Sequence, residues 1–341
     1  MRLKSIFYIT LLVLICGDVC WLSANKAPTT PKILFTSSRD GNREVYMMNP
    51  DGSEQVNLTQ HPAGDLGAVW SPTGDQILFV SDRQGTRMRD LYLMDPDGSN
   101  VRRVFKRKIT AWRGNATWSP DGKHFAYVIT DRTRPKTDLY LGTFGEEDAE
   151  LLPHCGSPAW SPDGSEIACH ISPHAQTSRL TFINVRTRET EQPLPTKALR
   201  WQFQPSWSAA GNRLAFSGIK QLLPVILERD LHNAWRDKQT IFIVNRDGTG
   251  LRQLVEEDGP YAQYPVLSPD GSEVLYTQEI NGHSQIFKID INTGVRTQLT
   301  HIAGPFRRTN VGGDWFDPAY ALPVSPKPAL LTTTWSEEKK E

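Results

Sequence analysis

The sequence predicts an all-β fold, a six-bladed β-propeller of four-stranded antiparallel blades, closed by one blade shared between the N- and C-terminal ends. Three observations predict it. A short phrase recurs along the 341 residues: Trp70-Ser71-Pro72, Trp118-Ser119-Pro120-Asp121-Gly122, Trp160-Ser161-Pro162-Asp163-Gly164, Trp207-Ser208, Leu267-Ser268-Pro269-Asp270-Gly271 and Trp315-Phe316-Asp317-Pro318. Its steps are 48, 42, 47, 60 and 48 residues, the length of one four-stranded blade. The chain also opens in mid-repeat, at Ile33, so the first strand of that blade has to come from Gly313 to Leu322. A ring zipped in this way loses its whole fold when either end is cut, unlike an open array with dispensable terminal repeats.

Each phrase is followed by a short apolar strand: Ile77 to Val80, Phe125 to Val128, Ile167 to Ile171, Leu214 to Phe216 and Val274 to Tyr276. A polar loop leads to an aliphatic-aromatic strand, seen six times as Val45-Tyr46, Leu91-Tyr92, Leu139-Tyr140, Thr181-Phe182, Ile241-Phe242 and Ile286-Phe287. Turns such as Asn49-Pro50-Asp51-Gly52, Asp95-Pro96-Asp97-Gly98 and Asn245-Arg246-Asp247-Gly248 come next, supplying the positive φ of tight hairpins. The outermost strands, such as Val101 to Val104 and Leu251 to Leu254, are short and charged, which discourages pairing between sheets. One module carries an insertion at 219–238, whose pairs Ile226-Leu227, Asp230-Leu231 and Ala234-Trp235 suit a short amphipathic helix with Pro224 near its start.

The propeller occupies 33–322. Ahead of it, 1–24 read as a signal peptide: Arg2 and Lys4 precede an apolar run, Ile6 to Ile15, too short to span a bilayer comfortably. Cleavage after Ala24 leaves Leu22 at the third position back, so an uncleaved membrane anchor is the alternative. The expected location is periplasmic or secreted, with no membrane span once the signal is removed. The tail, 323–341, is expected to lie partly ordered against the ring. Basic and acidic side chains number 38 each, so the chain offers no basic field for nucleic acid and any charged partner is recognised by a local patch. Cys155 and Cys169 flank the Pro162-Asp163-Gly164 turn. An oxidising compartment permits them to join, although counting outward from the turn puts Cys169 opposite Pro158 and leaves Cys155 out of register for a bridge.

The order Trp-Ser-Pro-Asp-Gly, apolar strand, Leu-Tyr strand, Asp-Pro-Asp-Gly resembles the propeller repeat of the TolB family, from Ile33 to Leu322. The resemblance implies six blades and a periplasmic protein-binding hub that holds a peptidoglycan-linked lipoprotein. It departs from that family in that the first blade is expected directly after the signal, with no α/β domain ahead of it.

Aromatics that repeat with the blade are packing residues, and Asp121, Asp163 and Asp270 recur at one turn position and so cap turns. Cys155, Cys169, His154, His170 and His174 form a zinc-type ligand set, but strand alternation sends Cys169 and His170 to opposite faces. No metal or cofactor is expected. No Gly-x-Ser-x-Gly elbow occurs, and the innermost strands, read as Ala68-Val69, Ala116-Thr117, Pro158-Ala159, Pro205-Ser206, Pro265-Val266 and Gly313-Asp314, bring only Asp314 to the axis as an ionisable group. The alternative of a propeller lyase or hydrolase on polysaccharide therefore rests on channel chemistry near Asp314.

The loops between outer and next inner strands, and between second and third strands, emerge on one face. Arg39, Arg83 and Arg132 recur there opposite Glu44, Asp90 and Asp138 and are read as structural ion pairs. The remaining candidates for binding a partner are Arg107, Trp112, Arg113, Arg200, Trp201, Tyr261, Tyr264, Phe306, Arg307 and Arg308. Arginine beside aromatics is the composition of interface hot spots. The sequence thus predicts a monomeric, exported, non-enzymatic scaffold that binds a protein or glycan partner in the cell envelope.

Overall fold

The computed structural model describes residues 27–85, 88–108, 110–131, 136–174, 177–195, 197–223, 229–301 and 310–322. Strands β1 (Lys32–Ser37), β2 (Glu44–Met48) and β3 (Val56–Asn57) pair in series, and the same antiparallel order repeats along the chain. The second set is β4 (Asp65–Trp70), β5 (Ile77–Ser81), β6 (Asp90–Met94) and β7 (Arg102–Arg103), and the third is β8 (Trp112–Trp118), β9 (His124–Asp131), β10 (Lys136–Thr143) and β11 (Ala149–Leu151). The fourth is β12 (Gly156–Trp160), β13 (Glu166–His174), β14 (Thr177–Asn184) and β15 (Thr190–Glu191). The fifth is β16 (Trp201–Trp207), β17 (Arg213–Ile219), β18 (Thr240–Asn245) and β19 (Arg252–Gln253), linked to the fourth by one parallel pair, Ser178 opposite Trp201. The sixth is β20 (Ala262–Leu267), β21 (Glu273–Ile280), β22 (His283–Asp290) and β23 (Arg296–Gln298). The last strand, β24 (Asn310–Phe316), returns to pair antiparallel with β1.

Because strand side chains alternate, each sheet presents an apolar layer to both neighbours. Leu78 and Val80 of β5 pack against Trp118 and Phe125 of the next set, whereas Ile77 and Phe79 pack back against Leu34 and Val45. The described core divides into six such intersheet clusters, one of which joins Leu275 and Ile286 to Ile33, Phe35 and Tyr46. The turn glycines have a second reason to be glycine: a Cβ on Gly98 would stand 2.3 Å from the Leu58 carbonyl oxygen, and one on Gly248 2.1 Å from that of Pro193. The turns thus press on the outer edge of the preceding sheet.

Several sequence expectations shift. The closing strand begins at Asn310 rather than Gly313 and ends at Phe316, because Asp317 accepts the Ala319 N–H and Pro318 starts a short 3-10 turn, Pro318–Tyr320. The innermost strands are longer than predicted and include Asp65 and Arg113 as well as Asp314. Each inner strand also carries a left-handed residue, namely Gly67, Asn115, Ser157, Gln204, Tyr264 and Gly312. These residues lie where the register with the second strand slips. The bulge at Ser157 brings Cys155 back towards Cys169. The two are joined by a disulfide with a Cα separation of 5.8 Å, against the register counted for a regular hairpin. The insertion contains helix α1 (Arg229–Arg236), while Pro224, Ile226 and Leu227 lie outside the described residues, as do 1–26 and the tail beyond Leu322.

Candidate functional site

Counting back from the aromatic or leucine of each phrase exposes a grammar within the inner strands. Five residues before it stand Asp65, Arg113, Cys155, Gln202, Ala262 and Asn310, none more than 4% exposed. Each polar one has a local partner, although Asp65 Oδ1 and Arg113 Nε are left without a hydrogen bond among the described residues. Arg83 Nη2 donates to Asp65 Oδ2 at 2.8 Å, and Arg113 Nη1 donates to both Asp90 oxygens at 3.0 and 3.1 Å. Gln202 Oε1 accepts the Leu180 N–H at 2.8 Å, and Asn310 Oδ1 accepts from Ser37 Oγ at 2.8 Å. One residue before the phrase stand Thr117, Ser206 and Asp314, in alternate sheets. Their side-chain oxygens accept the N–H of the next phrase, from Trp160 at 3.3 Å, Leu267 at 3.1 Å and Trp70 at 2.6 Å. Asp314 therefore latches β24 to β4.

This grammar redistributes the predicted loop face. Arg113 is buried with its guanidinium 4.0 Å over the Phe105 ring, so it holds two sheets together and is not on a binding surface. Arg83 pairs with Asp65 in place of the expected Asp90. Arg39 bonds Ser37 and Asn310 and lies over Tyr46 instead of pairing with Glu44, and Arg132 is outside the described residues. Trp201 and Tyr261 are buried. Trp201 stacks on Phe203 and meets Trp235 of α1 edge-on at 5.1 Å, and Tyr261 lies beneath Arg236 at 5.0 Å. Trp112 is half-buried under Arg89 at 4.9 Å, and Tyr264 is half-buried with its N–H donated to Gln204 Oε1 at 3.0 Å. Arg107, 68% exposed and 3.7 Å from Asp148, and Arg200 reach solvent, whereas Phe306, Arg307 and Arg308 fall outside the described residues. The insertion adds what the sequence reading missed: Leu222 and Leu231 are exposed on the face where Trp235 rests on Trp201.

The opposite face holds a cavity of 540 Å³ lined by all six phrase positions, Trp70, Trp118, Trp160, Trp207, Leu267 and Trp315. The segment after β24 forms one wall, with the Leu322 N–H donated to Pro72 O at 3.0 Å. Asp314 lies in this cavity, and burial pushes its carboxyl up to about 6 against the opposing pull of the Trp70 and Trp315 N–H groups. The phrase aspartates cap their turns: Asp163 accepts from Ser161 Oγ at 2.6 Å and from the Ser165 N–H at 3.0 Å, and Asp270 repeats the pattern. Asp121 is held below its ordinary value because bonds from His124 and Ser119 outweigh its desolvation. Among the described residues no three His, Cys, Asp or Glu side chains come together as a metal site, and Cys155 and Cys169 are committed to their bridge. Burial, then the nearby His154, pushes the His170 imidazole down to about 4.

Residues 22–133 match the family described as the TolB beta propeller domain. An uncharacterized protein of Agrobacterium fabrum is 38% identical over 105 residues, covering 28% of this chain and 35% of that one. A TolB homologue of Chlorobium luteolum is 25% identical over 173 residues, 38% of each chain. The chain thus spans little more than a third of the length of these relatives. Among solved structures, TolB from Acinetobacter baumannii superposes with a TM-score of 0.67 at 14% identity, over 83% of this chain and 66% of that one. An oligogalacturonate lyase in complex with manganese gives 0.54 at 16% identity, over 78% and 73%. Repeated four-stranded antiparallel sheets with cores between them, shared with these folds, define a β-propeller. Within that class, this is a TolB-like propeller protein.

Proposed function

We propose that this is an exported, non-enzymatic propeller of six blades, closed where β24 joins β1, that binds a protein or glycan partner of the cell envelope as a monomer through its loop face. Support for closure comes from the six intersheet cores, the cavity to which every phrase contributes, and the Asp314 latch. Export is supported by the basic and apolar start of the sequence and by the Cys155–Cys169 bridge, which suits an oxidising compartment. Among the described residues no helix is long and apolar enough to cross a membrane. The TolB likeness adds a protein-binding precedent.

The observation that carries the binding reading is the insertion docked on Trp201. Its Leu222 and Leu231 are exposed, and its Trp235 rests on Trp201, which directly follows the solvent-facing Arg200 in the lead-in to β16; exposed apolar and cationic groups on one loop face are the composition interfaces use. A pulldown from envelope extract and a glycan array, each with residues 25–341 and with a variant carrying Arg107→Glu, Arg200→Glu and Leu231→Asp, test it. Loss of the ligand in the variant is the expected result. Retention of every ligand refutes this face.

A further inference from the structure

The cavity on the phrase side has an unbalanced charge. Its lining contains five tryptophans with Phe316 and Tyr320, two carboxylates, Asp314 and Asp317, and no lysine, arginine or histidine among the described residues. Asp314 is held by two backbone N–H groups alone and forms no ion pair among the described residues. The strands packed against β24 carry Lys32, Asp65, Glu273, Glu279, His283, Lys288 and Asp290, and none of these lines the cavity. Lys32 is bonded to Asn49, Asp65 to Arg83, and Glu273 to Lys288, so no neighbour supplies the missing positive charge. An ionised carboxylate so placed is costly until a cation joins it. Aromatic walls favour a cation with an apolar body over a hydrated metal ion, which would need further oxygen or nitrogen ligands. The volume suits a small organic molecule.

We propose that this cavity binds a small organic cation of the alkylated or quaternary ammonium class, with Asp314 as its counter-ion and the phrase tryptophans as its walls. The site lies on the face opposite the loop surface and stands independently of any partner bound there.

The test uses the full chain, with choline as probe, its neutral carbon isostere dimethylbutanol as control, and tryptophan emission as readout. Near pH 8 choline binds saturably, and the neutral isostere binds at least about tenfold more weakly. Near pH 5, where the Asp314 carboxyl is protonated, choline affinity falls by about tenfold, and Asp314→Asn abolishes the difference between the two probes. Equal affinity for choline and isostere overturns the proposal, as does a pH-independent affinity, displacement of choline by millimolar magnesium, or no saturable binding of choline at all. If Asp314→Asn fails to fold, the isostere and pH comparisons on the unaltered chain decide. Arg107→Glu and Arg200→Glu leave choline binding unchanged, which separates this site from the loop face.

Discussion

Asp314 is the residue at which the latch and the chemistry of the cavity meet, and replacing it with asparagine separates their contributions. In the folded protein its carboxyl titrates at about 6, whereas an unfolded chain gives it an ordinary value of about 3.9. The folded state therefore holds the proton more tightly. Its contribution to stability is fully present below about pH 4, declines as pH rises, and is gone above about pH 6. A gap of about two pH units corresponds to about 3 kcal/mol, an upper figure because water in the open cavity screens the charge. Asparagine keeps an acceptor for the Trp70 N–H and carries no charge, so any bond it weakens shifts stability by a pH-independent amount of about 1 kcal/mol. Urea unfolding of both proteins at a series of pH values, without added cations, then shows the asparagine variant gaining up to about 3 kcal/mol on the unaltered chain between about pH 4 and pH 7. Two profiles that run parallel across that range would refute the placement of an uncompensated carboxylate at the cavity.

Replacing Cys155 and Cys169 with serine, or reducing the bridge, releases a closure with a sequence separation of 14. Urea unfolding is expected to register a loss of about 3 kcal/mol. Arg113→Ala leaves Asp90 buried without its cation and costs about 3–5 kcal/mol, whereas Arg107→Ala, at an exposed pair, stays within about 0.5 kcal/mol of the parent. Gly98→Ala and Gly294→Ala form an internal control: both positions have positive φ, but only at Gly98 does a Cβ strike a carbonyl. Thermal unfolding is expected to show a loss of about 1 kcal/mol at Gly294 and at least twice that at Gly98.

Most of the architecture was legible because a propeller writes its period into the chain: the phrase, the aliphatic-aromatic strand and the Asp-Gly turn fall on the observed turns and strands. What escaped the reading depends on backbone irregularity. Ser157 adopts φ 49° and slips the register by one residue, enough to bring Cys155 to Cys169, and nothing in the identity of a serine announces a left-handed bulge. Residue type alone points to the loop-face candidates and does not distinguish a buried Arg113 from an exposed Arg107. A signal was nonetheless available: Asp65, Arg113, Gln202 and Asn310 each precede a phrase by five residues, and a polar group recurring at one blade position is a structural group before it is a site. The amphipathic pattern of the insertion predicts a helix but not which of its apolar groups is covered, and the docking of Trp235 on Trp201 with Leu231 left exposed supplies that.

The central claim is that β24 and β1 form one sheet and so bind the two ends of the propeller together. The most direct measurement is the thermal unfolding of a chain ending at Thr309, which lacks β24, the Asp314 latch and the Phe316 ring that packs on Trp70 at 5.4 Å. Loss of a cooperative transition across the whole β signal is the predicted result. A shortened chain that still unfolds in one sharp step, within a few degrees of the parent, would contradict it.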